Sequence, residues 1–158
     1  MTDPSEGPSE GPADQPAEES PISSVRQQGL EKMAEVYGWE VTDGDGDFFS
    51  ITAEHLFGNI WQRPGMSTHD RRLLLIGMLI GSGQEDVLDI QLPAALGNGE
   101  LDATELRDIV IFAAHYAGWP RGARLNNQVE AIIARHDKQL RKQTAANHPD
   151  DNQGNADD

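Results

Sequence analysis

The chain has 158 residues, of which 27 are Asp or Glu against 12 Lys or Arg, giving a formal charge of -15, and it contains no cysteine. Such a carboxylate surplus disfavours the phosphate backbone of nucleic acid and an anionic membrane surface as partners. The missing thiol excludes disulfides, Cys-ligated metal centres, Cys nucleophiles and dithiol redox chemistry.

Residues 1 to 22 hold six acids, five prolines and no base, and repeat Ser5-Glu6-Gly7-Pro8 as Ser9-Glu10-Gly11-Pro12. That composition buries too little apolar surface to offset the entropy of ordering, so it predicts a disordered tail. Residues 143 to 158, with Asp150, Asp151, Asp157 and Asp158, read as a second acidic tail. One domain is expected between them, over 23 to 142, where 17 acids face 12 bases. Most of the acidity is therefore tail and serves solubility.

Within the domain, Val25, Gly29, Met33 and Val36 recur at helical spacing, and Gly38 is placed to stop that helix. A second helix is predicted from about Asp47 to Trp61, with Phe48, Ile51, His55 and Gly58 on one stripe, ended by Pro64-Gly65. Ser67 and Asp70 imitate a capping box for a third, whose run from Leu73 to Ile80 is apolar on every face and predicts a central position. Its Gly77 and Gly81 form a small-residue step that lets another helix approach closely. The fourth, from about Gln84 to Leu96, contains Pro93, where a kink or early break is expected. After the turn Gly97-Asn98-Gly99, Asp102 and Glu105 cap a fifth helix that turns Leu106, Ile109 and Val110 inward and ends at Gly118. Pro120 opens the last, with Leu125, Val129, Ile132, Ile133, His136 and Leu140 at steps of three and four. About six helices and no convincing strand make the expected class all-α.

The repeat Asp43-Gly44-Asp45-Gly46-Asp47 invites a calcium loop, but neither register of the motif works. Starting at Asp43 puts Phe48 where the sharp turn needs glycine; aligning Gly46 with that glycine puts Val41 first and Thr52 last, losing both terminal ligands. A solvated acidic turn is expected instead. No His-x-x-x-His or His-Glu-x-x-His spacing exists, so no metal is expected.

The stretch Phe57-Gly58-Asn59-Ile60-Trp61-Gln62-Arg63-Pro64-Gly65-Met66-Ser67, followed by Asp70-Arg71-Arg72-Leu73-Leu74, resembles the signature of the carboxymuconolactone decarboxylase family. Ala95-Leu96-Gly97-Asn98-Gly99, Glu105-Leu106-Arg107-Asp108 and Tyr116-Ala117-Gly118-Trp119-Pro120 are similar to further motifs of that family, in the same order, over about residues 48 to 135. The resemblance implies an all-helical fold related to alkylhydroperoxidase D, assembled as a homotrimer or homohexamer with sites between helices. It also implies cofactor-independent chemistry on a small anionic lactone or aromatic catabolite. With no basic, apolar leader and no stretch of about 18 uninterrupted apolar residues, the chain is expected to be cytoplasmic. The chain departs from its relatives at Gln84-Glu85-Asp86-Val87, where alkylhydroperoxidase members carry Cys-x-x-Cys, and at Gln91, where many decarboxylase-like members carry histidine. Thiol-based peroxide reduction is therefore excluded.

Losing carbon dioxide from a lactone acid leaves an enolate, so a catalyst must hold an oxyanion and then protonate carbon. Imidazole titrates near neutrality, which makes His55 and His115 the expected acid/base residues. Guanidinium docks a carboxylate, which makes Arg63, Arg71 and Arg72 candidates; Arg63 and Arg72 are selected, and a surface ion pair or helix cap is favoured for Arg71. Gln91 is expected to orient a ligand oxygen, with Trp61 and Tyr116 in the binding wall and Trp119 in the core. The alternative is a non-catalytic, ligand-binding scaffold of the same fold.

Overall fold

The computed structural model describes residues 24–147. The predicted tail over 1–22, and all but the first five residues of the tail predicted over 143–158, lie outside the described residues. The elements are α1 (Ser24–Tyr37), a short α2 (Asp47–Ser50) running directly into a π-helical segment (Ile51–Ile60), α3 (Thr68–Ser82), α4 (Glu85–Gly97), α5 (Ala103–Ala117) and α6 (Trp119–Asn147), with no strand among the described residues. Residues 143–147 thus continue the last helix instead of joining the tail.

Local chemistry sets most of these boundaries. Ser67 accepts from the Asp70 amide and Asp70 reaches back to the Ser67 amide, while Asp102 and Glu105 close the same reciprocal box at α5, satisfying amides that a helix start leaves open. Gly38 takes φ 78 at the end of α1, a conformation cheap only for glycine. Pro93 does not break α4. The residues after it, Ala94, Ala95 and Leu96, are buried, and that packing outweighs one lost backbone bond.

The second predicted helix forms, but with a different period. Trp61 donates its amide to the Leu56 carbonyl, a step of five, at 2.9 Å. Widening the turn moves the buried stripe to Ala53, Phe57 and Trp61 and leaves Phe48, Ile51 and His55 exposed. Against this segment α1 packs almost backbone to backbone: a Cβ on Gly29 would lie 1.9 Å from the Ala53 carbonyl oxygen, and one on Gly58 2.9 Å from that of Val25.

Two apolar clusters result. Leu30, Met33, Val36, Ala53, Phe57 and Trp61 join α1 to the π segment, while α3 to α6 enclose a larger core that includes Ile76, Leu88, Leu92, Leu106, Leu125 and Val129. Leu75 packs against both, so α3 is the hinge of the architecture. Its other faces are not covered: Leu73, Leu74 and Met78 are exposed, and nothing approaches Gly77 or Gly81 within 4 Å of an added Cβ.

One carboxylate of the acidic turn is paired within the protein. Arg26 donates to Asp43 at 3.0 Å, to Glu54 at 3.1 Å and to the Gly44 carbonyl at 2.7 Å, and its hydrogen bond to Asp43 holds that carboxyl below the usual carboxylate range. Among the described residues no helix is long and apolar enough to cross a membrane.

Candidate active-site cavity between the two cores

A cavity of about 840 Å³ opens where the two clusters meet, walled by the end of α1, the π segment, α3 and α4. Phe57 and Trp61, stacked with ring centroids 5.9 Å apart, form one wall, and Leu74 and Met78 of α3 form another. Arg63 stands at the mouth, exposed, its guanidinium with no hydrogen-bond or ion-pair partner among the described residues. Pro64 fixes the backbone after it, and Arg71 fixes the loop from below by donating to the Met66 carbonyl at 2.5 Å and to the Arg63 carbonyl. Arg71 is thus a brace for Arg63.

Deeper in, Gln91 lines the cavity and is buried. Its carboxamide oxygen accepts from the Arg72 guanidinium, which leaves the amide Nε2 and its protons to face elsewhere. Arg72 itself has no exposed surface and lies behind the wall. Its Nε and Nη2 take the two Glu100 carboxylate oxygens at 3.0 and 3.1 Å, and Nη2 also donates to the Val36 carbonyl at 2.6 Å. Asn98 completes the lock, donating to Glu100 at 3.1 Å and to the Glu35 carbonyl at 2.7 Å. Burial works to raise the Glu100 pKa, yet the bonds from Arg72 and Asn98 outweigh it and hold the carboxyl below its ordinary value. These contacts satisfy the last carbonyls of α1 and tie it to α3 and α4. The side chain that sequence reasoning gave to ligand docking is occupied within the protein, and it acts on the cavity through Gln91.

Of the residues expected at the site, the cavity gathers Trp61, Arg63 and Gln91, with Arg72 directly behind. It does not gather the histidines. His55 is exposed because the π turn rotates it off the buried stripe, and His115 is exposed on α5, bonded through Nδ1 to the Ile111 carbonyl at 2.7 Å. Tyr116 lines a different cavity, of about 710 Å³, between α3, α5 and the start of α6. Trp119, expected in the core, is 72% exposed.

Sequence reasoning missed Tyr37, the last residue of α1, which lines the same cavity as Gln91 and Arg63. Its ring stacks on Trp39 at 5.2 Å and meets Phe57 edge-on at 5.3 Å. Burial pushes its phenol above the ordinary value. The available signal was an aromatic directly before the helix-ending Gly38.

The family model described as the carboxymuconolactone decarboxylase family matches residues 46–131. A 4-carboxymuconolactone decarboxylase of Acinetobacter baylyi is 31% identical over 115 residues, covering 68% of this chain and 85% of that protein. A nitrosuccinic acid decarboxylase of Metarhizium robertsii is 36% identical over 70 residues, 44% of this chain and 48% of that protein. No solved structure gives a significant match.

Proposed function

The chain belongs to the carboxymuconolactone decarboxylase family, and from that membership we propose that it is a cofactor-independent carboxy-lyase acting on a small organic acid with two anionic groups. The names of the two relatives pair an acid with an electron-accepting group, a lactone in one and a nitro group in the other. Such a group takes up the electron pair that departing carbon dioxide leaves behind, so the chemistry needs no further electron sink. What the protein must supply is orientation, an oxyanion partner and a dry wall.

The observation that carries this reading is one cavity with two cationic or proton-donating groups at opposite depths. Arg63 at the mouth docks the carboxylate that is retained. The Gln91 amide, polarised by the buried Arg72 on its oxygen, donates to the oxygen where charge develops. Phe57, Trp61, Leu74 and Met78 exclude water from the carboxylate that is lost, favouring the less charged products. With neither imidazole nor carboxylate among the lining residues, ligand binding should stay level between pH 6 and 8.

We place this activity in the cytoplasm, in the breakdown of lactone or aromatic-derived acids. We also propose a homo-oligomer, trimer or hexamer, that covers the exposed rings of Phe112 and Tyr116 on α5.

The test is carbon dioxide release and calorimetric binding across lactone acids, nitro acids and simple dicarboxylates. Turnover without added cofactor, and a Kd raised about 10-fold or more in Arg63→Gln with unchanged melting temperature, is the expected result. Binding without turnover on every acid would leave a ligand-binding scaffold in place of an enzyme.

A further inference from the structure

Enolate formation is half of a decarboxylation; carbon must then receive a proton. Among the described side chains lining the cavity, only Tyr37, Arg63 and Arg71 ionise at all. A guanidinium keeps its protons throughout the working pH range, and the Gln91 amide and Trp61 indole are not acids. That leaves one group with a proton to give.

Its ring and the backbone beside it are held by protein contacts. The Val36 carbonyl, one peptide unit before Tyr37, and the Gln91 carboxamide oxygen are both held by the terminal nitrogens of Arg72. The backbone at Tyr37 and the side chain of Gln91 are therefore referenced to the same rigid, planar group. Trp39 and Phe57 fix the ring from two sides. The phenol oxygen makes no hydrogen bond to any described residue, although the ring also borders a smaller recess that contains Asp89. Tyr37 is half-buried and lines the ligand cavity, and a hydroxyl without a protein partner on such a residue is available to a ligand.

We propose that Tyr37 is the proton donor to carbon in this cavity, completing the decarboxylation that Arg63 and Gln91 set up. This rests on the carboxy-lyase reading above. In balanced form, the bond between the substrate carbon and its carboxylate breaks, carbon dioxide leaves, and the electron pair enters the lactone or nitro group as an oxyanion facing Gln91. That pair then forms a C–H bond with the Tyr37 proton, and the tyrosinate is reprotonated by water. Burial, which raises the phenol's pKa, keeps it protonated between turnovers.

The experiment compares wild type with Tyr37→Phe on an acid that the wild type decarboxylates, in H₂O and in D₂O. Phenylalanine keeps the ring contacts and removes only an oxygen without a protein partner, so the melting temperature and substrate Kd should stay close to wild type. Expected are a kcat lowered about 100-fold or more, from loss of general acid catalysis, and deuterium delivered to both faces of the product carbon where the wild type delivers it to one. A structural role for Tyr37 would not alter the face. Unchanged kcat and single-face deuteration in Tyr37→Phe overturn the proposal while the lyase reading stands. A wild type that decarboxylates no acid in the panel takes down the lyase reading, and this one with it.

Discussion

Two cavities flank α3, and the contrast between them lies in their polar atoms. In the cavity against α1 and α4, a guanidinium at the mouth has no partner among the described residues, and a carboxamide is anchored from behind by an internal ion pair. In the cavity against α5, Arg121 gives Nη1 to the Ile80 and Gly81 carbonyls at 2.9 and 2.7 Å while its buried Nε makes no hydrogen bond and lies 3.9 Å from Glu85; Asp108 and Tyr116 join walls that include Leu73, Ile76, Ile109 and Phe112. An exposed guanidinium and an anchored carboxamide on one cavity suit a small anionic ligand; a mainly apolar wall flanked by exposed aromatic rings suits another protein surface. One helix, apolar on every face, serves both.

The largest effect should come from breaking what holds the first cavity together. Arg72→Ala leaves the Val36 carbonyl and the Gln91 oxygen without their Arg72 donor and the Glu100 carboxylate with Asn98 alone, at a cost of about 3–5 kcal/mol. Urea unfolding at pH 7 measures it. Because the folded protein holds the Glu100 pKa below its ordinary value, the wild-type contribution is complete above the ordinary carboxylate range and lost as pH falls through the depressed value. The gap between wild type and variant should therefore narrow in acid to what the Val36 and Gln91 oxygens contribute, and a gap of equal size at pH 7 and pH 3 would refute the assignment.

The sequence made some of this visible and concealed the rest for definite reasons. Capping residues act within three positions of one another, so Ser67 with Asp70 and Asp102 with Glu105 were legible, as was Gly38. Arg72 was not: its partners Val36, Gln91 and Glu100 stand 19 to 36 residues away along the chain, and nothing local marks an arginine as buried. His55 was misplaced because a period of 3.6 was assumed where close approach of α1 through Gly29 accompanies a π turn. Arg63, Trp61 and Gln91 were found through motif resemblance, whereas Tyr37 precedes the matched region and had only its neighbour Gly38 to announce it.

A smaller effect separates the ligand role of Gln91 from its structural one. Gln91→Leu removes the acceptor of one Arg72 nitrogen and should lower stability by about 1–3 kcal/mol, the price of a buried donor left unpaired. It also removes the amide donor and should weaken binding of an anionic ligand by about 10-fold. Binding that stays intact while the melting temperature falls makes Gln91 a strut for Arg72 and nothing more, and the contrast between the cavities then rests on Arg63 alone.

The smallest effect on the folded monomer should come from the second cavity. Phe112 is 68% exposed and among the described aromatic rings meets just that of Tyr116, tilted against it at 4.9 Å, so Phe112→Asp should change monomer stability by no more than about 0.5 kcal/mol. If a second copy covers this face, however, the same change places a charge in the middle of an apolar contact and should shift the mass in solution to that of a monomer, as read by light scattering. Ligand affinity at the Arg63 cavity should then be unchanged, since α3 separates the two sites and none of the Arg63, Gln91 or Arg72 contacts involves α5. A wild type that is already monomeric removes the interface role from this face. A loss of ligand affinity that accompanies loss of assembly would instead mean that α3 transmits changes between its two sides, so that the two cavities act as one unit.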